Sequence, residues 1–268
     1  METTTAPDLP STIDEVLAEL DSIIEQSRQE NDYIGLFAYV YRRTTAAIQL
    51  GIVEDVFEDG PRMEHFDVYF ANLYIQAHRN FRAQQPTCSA WQICFDARFI
   101  KMTALQHVLM GMNAHINLDL GIAAASTSEG PQLLQMKNDF NKVNDILNSI
   151  IDEIQASLGK ISPFLFLLDW MGGRKDEKLV EFGIRRFREQ AWQMACELAL
   201  ALEENKAAMI EKVDKKTTQL SHAIQHPPHW GIRLMCSLIS VWEEKSTAKI
   251  LDRLIKKQKT NQQILAKV

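Results

Sequence analysis

Between Met102 and Ala125 apolar residues fall all the way round a helical wheel: Val108, Leu109, Met110, Met112, Ile116, Leu118 and Leu120 leave no side for water. A helix that is apolar on every side is stable only when it is buried on every side, so the rest of the chain has to supply a shell. The remaining sequence suits that task. Apolar residues recur at helical spacing along most of its length, and strand alternation is nearly absent. This predicts an all-α protein, one helical domain over residues 11–268, with residues 102–125 as its central, mostly buried helix. A domain of 268 residues buries about 70–75% of the surface its unfolded chain exposes, so packing can stabilise it without disulfides or a structural metal.

The shell can be read segment by segment. Ser11 is placed to cap a first helix carrying Ile13, Val16, Leu17, Leu20 and Ile24, and residues 1–10 before it are expected to be disordered. A second helix runs from Asp32 to Gln49 with Ile34, Phe37, Tyr41, Thr44 and Ile48 inward, ended by Gly51. A third opens at Pro61 and reaches Phe81, and Ser89 caps a short helix bearing Trp91 and Phe95. Gly130-Pro131 breaks the chain before a long helix whose seam is Phe140, Val143, Leu147, Ile150, Ile154 and Leu158. Ile161 to Met171 is an apolar connector. From Asp176 a helix carries Trp192, Ala195 and Leu198, and Ile210 with Val213 extend it or belong to a second one. His226-Pro227-Pro228 forces a break, after which two short helices close the chain, one bearing Trp230, Leu234, Leu238 and Val241.

Composition narrows the function classes. A net charge of −6 and a pI near 5.7 argue against a protein that holds a phosphate backbone, so nucleic acid is not expected as a partner. The basic run Lys249, Arg253, Lys256, Lys257 and Lys259 reads as the solvated face of a last helix. Cys88, Cys94, Cys196 and Cys236 show no paired metal or redox spacing and read as free thiols. No signal peptide and no membrane span is evident, and a reducing cytoplasm is the expected location. A small-molecule substrate or ligand is the expected partner, with self-association left open. The nucleophile-elbow, P-loop and dinucleotide fingerprints are missing, which removes serine-hydrolase and nucleotide-dependent readings.

The central segment carries its own chemistry. Interleaved with its apolar residues are two polar stripes, Gln106, Asn113 and Asn117 on one side and His107, Gly111, His115 and Asp119 on the other. Burying such groups without partners costs about 1–3 kcal/mol each, more for an ionised Asp119, so each has to meet a protein group, water, a ligand or a metal. His115 and Asp119 lie one turn apart and can converge on one ion or one substrate group. His107 is eight residues from His115, about 12 Å along the axis, too far to share a metal whose nitrogen bonds are about 2.1 Å. Further ligands would come from His65, Asp67, His78 or Asp96, and Gly111 would admit a close neighbour. His107, His115 and Asp119 are therefore the catalytic candidates, with His115 and Asp119 as ligands of a divalent metal ion. Asn113, Asn117, Gln106, Asp67, Trp91 and Arg188 are the ligand-binding candidates. Arg188 and Trp192 are one turn apart and could stack, against the plainer reading of a surface salt-bridge cluster with Glu181 and Glu189. His222, His226 and His229 read as capping residues.

The run Gly111-Met112-Asn113-Ala114-His115-Ile116-Asn117-Leu118-Asp119-Leu120 resembles the signature of a bacterial family of unknown function found in actinobacteria and cyanobacteria. Supporting pieces are Met63 to Asp67 with Phe70-Ala71-Asn72, Ala90-Trp91 with Phe95-Asp96, Gln106-His107, Asn138 to Asn141, and Arg188 with Ala191-Trp192. That resemblance implies no activity. Gly111, His115 and Asp119 are also similar in spacing to the Gly-x-x-x-His-x-x-x-Asp helix of zinc-dependent phospholipase C and related nucleases, themselves all-α. The histidine that follows in those enzymes is absent, since none occurs between Asp119 and His222. Asn144, Asn148 and Asp152 resemble the magnesium motif of class I terpene synthases, but the aspartate-rich partner motif is missing and a solvated face is the plainer reading. Two functions follow: a metal-assisted enzyme, hydrolytic in type, or a non-enzymatic helical module that binds an apolar small molecule or a protein partner.

Overall fold

Helix α1 (Ile13–Glu30) begins where Thr12 leaves extended backbone and its hydroxyl accepts the Glu15 amide, one residue later than the Ser11 cap expected. Ser11 instead donates to Glu15 through both its amide and its hydroxyl, at 2.7 and 2.8 Å. The computed structural model describes residues 8–128, 130, 132–147, 150 and 176–265, with side chains of the last segment placed over residues 184–258. Of the segment expected to be disordered, the part from Asp8 is described and is held. The Pro10 carbonyl accepts from Asn72 Nδ2 at 2.8 Å and the Asp8 carbonyl from Arg79 at 3.3 Å.

Every described element is helical: α2 (Ile34–Val53), α3 (Gly60–Arg82), α4 (Ser89–Asp96), a single 3-10 turn (Ala97–Phe99), α5 (Ala104–Ala114), a π-turn (His115–Asp119), α6 (Leu120–Thr127), α7 (Gln132–Gln135), α8 (137–147), α9 (Asp176–Leu200), α10 (Glu203–Gln225), α11 (Trp230–Trp242) and α12 (Thr247–Leu265). The all-α expectation holds. The central segment is surrounded: α2 and α4 lie against α5, α3 and α9 against α6, and α10 against both α4 and α5. Trp91, Tyr74, Phe95, Phe140 and Met110 are fully buried in this shell. No described helix is long and apolar enough to cross a membrane.

Several boundaries differ from the sequence reading for identifiable reasons. Gly51 does not end α2. It lies inside the helix because Phe57 folds back onto it, leaving only 2.9 Å between a Cβ at that position and the ring. Ser89 does not cap α4 with its side chain. Instead Asp214, on α10, accepts the Ser89 and Ala90 amides at 2.9 and 2.8 Å, a cap supplied from 124 residues away that local sequence cannot reveal. The chain breaks at Ala201-Leu202, so Ile210 and Val213 belong to a separate helix. At the far end His226 ends α10, and His229 Nδ1 accepts the Gly231 amide at the start of α11, so His229 caps the N-terminus of the following helix where a C-terminal role was expected of the group. The seam Phe140, Val143 and Ile150 is buried; Ile154, Leu158, the connector Ile161 to Met171, Asn148, Asp152 and Glu181 lie outside the residues or side chains described.

Arg188 corrects another expectation. It is not in a surface cluster: it is buried, its guanidinium sits 4.3 Å over the Phe140 ring and donates to the Phe140 carbonyl, and burial pushes its pKa down to about 9. The cation over Trp192 is Lys137, at 4.5 Å, and Lys137 also pairs with Glu189.

Candidate functional site

The central segment is locked in register before it reaches its chemistry. Thr103 Oγ1 accepts the Gln106 amide at 3.2 Å and Gln106 Oε1 accepts the Thr103 amide at 3.1 Å, a reciprocal cap at the start of α5. Gln106 Nε2 then donates to the Ile224 carbonyl at 2.7 Å. Asn113 Nδ2 donates to the Thr217 carbonyl and to Ser221 Oγ, both at 2.8 Å, and Asn117 donates to Asn113 Oδ1 at 2.8 Å. Through Gln106 and Asn113 this stripe fastens α5 to α10, while Asn117 bonds only to Asn113 within its own segment.

The opposite stripe behaves differently. Gly111 meets Phe37 of α2 so closely that a Cβ would stand 2.3 Å from the ring, which is the close approach the glycine permits. One turn on, the helix widens into the π-turn, where the Leu120 amide bonds to the His115 carbonyl five residues back. Such single wide turns recur at functional sites. Across it His115 Nδ1 lies 3.1 Å from Asp119 Oδ2, and Trp91 Nε1 donates to the same oxygen at 2.9 Å. An indole N–H only donates, so Oδ2 is an acceptor, and Nδ1–H donating to it completes the arrangement. With Asp119 ionised, or protonated on Oδ1, His115 Nε2 carries the lone pair. That atom is buried without a partner. Burial holds the His115 pKa well below the usual imidazole value and pushes Asp119 well above that of a free carboxyl, so the histidine is neutral at pH 7.

The walls around His115 are aromatic. Phe70 stacks on it at 3.6 Å and Tyr41 stands edge-on at 4.2 Å, with Phe37, Trp91 and Tyr74 at 5.6, 6.2 and 6.3 Å. Near Tyr41 lies Asp67, whose side chain is buried with neither oxygen bonded; burial pushes its carboxyl up to about 7, and burial first, then the Asp67 charge, raises the Tyr41 phenol. Tyr41 Oη and Thr45 Oγ1 are buried as well, and a hydrogen bond from Thr45 partly offsets the rise at Tyr41. Of the four residues expected to assist His115 and Asp119, only Asp67 is on this side. His65 and Asp96 are exposed, and His78 is buried against Tyr74 and Phe95 with its pKa pushed down to about 4 by burial. His107 is not in contact with the pair: it stacks on Tyr33 at 4.2 Å, and Phe37, Tyr74 and Trp91 border both it and His115. Tyr41 was expected only as an inward residue of the second helix, and Thr45 and Tyr74 were absent from the sequence reading. Their signal was present as hydroxyl groups on the apolar faces of α2 and α3, with Asp67 at helical spacing from Phe70 and Tyr74.

A metal does not suit the donors as they stand. Asp119 Oδ2 already accepts two hydrogen bonds, and among the described residues no group of three His, Cys, Asp or Glu side chains converges as an ion would require. Cys88 and Cys94 are no alternative nucleophiles: Cys88 is pushed up to about 12 and Cys94 higher still, both by burial.

Comparison with known proteins returns a match to one family model, described as a family of unknown function (DUF5995), over residues 13–227. No curated protein and no solved structure matches the chain.

Proposed function

The chain belongs to that family of unknown function, and we propose from its geometry that it is an acid–base enzyme, hydrolytic in type, acting on a small uncharged substrate. The observation that carries the reading is a neutral histidine whose Nδ1 is held by Asp119 and whose Nε2 is buried and unused, with a carboxyl poised near neutrality close to its neighbour Tyr41. His115 Nε2 would take a proton from water as its oxygen bonds to a substrate carbonyl carbon. The proton would then pass to the leaving oxygen as the old carbon–oxygen bond breaks. Asp119 and Trp91 orient the imidazole, and protonated Asp67 with Tyr41 would donate hydrogen bonds to oxygen gaining charge. An aromatic, water-poor interior favours a substrate without charge, since a buried ion is expensive to desolvate. Free thiols throughout support a reducing compartment such as the cytoplasm.

The spacing shared with zinc-dependent phospholipases bears on this reading, because it makes a metal the rival partner of His115 and Asp119. Release of para-nitrophenol from para-nitrophenyl acetate tests the proposal. The wild-type chain should accelerate it without added metal and regardless of chelator, and His115→Gln and Asp67→Asn should each lower the rate about 100-fold. Equal rates for wild type and both variants would sink the proposal. Stoichiometric metal in untagged protein, lost in His115→Ala, would replace it by the metal-assisted form. The non-enzymatic module has one observation in its favour, the satisfaction of Asn113 and Gln106 by protein groups on α10 and on their own segment, and it predicts no turnover with any variant.

A further inference from the structure

A second set of unpartnered polar atoms lies on the other side of Phe37, Tyr74 and Trp91. These rings, with Tyr33 and Phe95, wall a narrow slot that His107 closes from α5 and Arg98 closes from the 3-10 turn. As it stands the slot has room for roughly one water molecule. Three buried hydrogen-bonding atoms belong to its lining residues and have no partner: His107 Nε2, Tyr74 Oη and Arg98 Nε. Each would cost about 1–3 kcal/mol if left dry, so the slot needs a polar occupant, while its walls require that occupant to be otherwise apolar and flat. His107 is kept neutral by burial, its pKa lowered to about 4, so it offers a lone pair or an N–H and no charge.

Arg98 separates this slot from the surface. It lines both the slot and an outer basin bordered by Glu30, Arg82, Gln84 and Phe99. Its Nη1 is paired with Asp32 at 2.9 Å, its guanidinium lies 4.5 and 4.9 Å over Phe99 and Phe81, and its Nε is buried and unbonded. Phe99 is 82% exposed, so nothing in the fold holds that side of the cation in place. Because Arg98 lines both, its rotation away from Asp32 would open the slot toward the basin.

We propose that this slot is a binding site for a small neutral aromatic molecule carrying one hydroxyl or N–H, seated between Tyr33, Phe37 and Trp91 and hydrogen-bonded to His107 Nε2 and Tyr74 Oη, with Arg98 as its movable wall. The inference stands on the slot's own atoms and does not require turnover at His115. Fluorine NMR titration of the full chain with para-fluorophenol tests it. Wild type should bind saturably, Tyr74→Phe and His107→Phe should each weaken binding about tenfold by removing one partner, and Arg98→Ala should speed association. Should His107→Phe fail to fold by its thermal melt, Tyr74→Phe, which changes one atom, decides alone. Unsaturable binding by both wild type and Arg98→Ala, or affinity unchanged by Tyr74→Phe, overturns the proposal. The two readings fail separately: saturable binding by a wild type that shows no turnover, or whose turnover is unchanged in His115→Gln, leaves this site standing and removes the acid–base enzyme.

Discussion

The interior around α5 and α6 and the helix α11 are opposites. The first buries Asp67, His107, Asn113, His115 and Asp119 among aromatic rings; the second leaves Trp230, Leu234, Leu238 and Val241 between 48 and 70% exposed. On α11 the expected inward stripe faces outward, and Gly231, Ile239 and Ser240 are the buried residues instead. The family match also ends at residue 227, before α11 begins. The contrast teaches that amphipathic spacing predicts a helix and the composition of its faces. It leaves open which face the rest of the chain will cover, because that depends on what surface remains unpaired after the larger helices have met.

The largest effect that could sharpen the contrast is at Asp67. Its folded-state pKa, about 7, lies above its ordinary value of 3.8, so its burial is tolerated at low pH and becomes a penalty as pH rises through this interval. Relative to Asp67→Asn, the wild type should lose roughly 4 kcal/mol of unfolding free energy between about pH 4 and pH 7. Parallel pH profiles in urea denaturation would show that Asp67 has a partner after all. The comparison with the neutral amide also cancels His78 and His107, whose lowered pKa values act the other way, reducing stability as pH falls below the usual imidazole range.

Asp119 comes next. Its replacement by Ala leaves the Trp91 N–H and His115 Nδ1–H buried and unpaired, a loss of about 4 kcal/mol, and adding His115→Ala should deepen that by less than about 1 kcal/mol. Losses that simply add in a double-mutant cycle would defeat the pairing. Gly111→Ala should cost about 3 kcal/mol, since the new methyl overlaps Phe37, a ring fixed by Trp91 and Tyr74; a neutral result by thermal melting would mean that α2 can slide. At the small end, Leu234→Ser and Leu238→Ser on α11 should each change stability by less than about 0.5 kcal/mol. A loss of the size expected at Gly111 would mean that α11 is covered in solution and that the contrast is false.

The all-helical architecture was legible from the sequence because helix spacing and proline and glycine breaks are local properties: α1, α3 and α9 begin within two residues of where Ser11, Pro61 and Asp176 place them. The pairing of His115 with Asp119 was legible for the same reason, one turn being a fixed distance. Asn113 and Gln106 were legible as groups in need of partners, since a polar amide on an all-apolar helix must be bonded somewhere. Their partners were not, because Thr217, Ser221 and Ile224 are more than 100 residues away. The same holds for Asp214 capping α4, for Phe37 against Gly111, for the burial of Arg188 over Phe140, and for the placing of Tyr41 beside His115 and of Asp67 near Tyr41. The chain by itself determined which helices form and which polar groups would be costly to bury. Only tertiary packing decided which of those groups are satisfied and which are left open, because hydrogen bonds and ring contacts between distant helices depend on close packing in three dimensions, which no local pattern records.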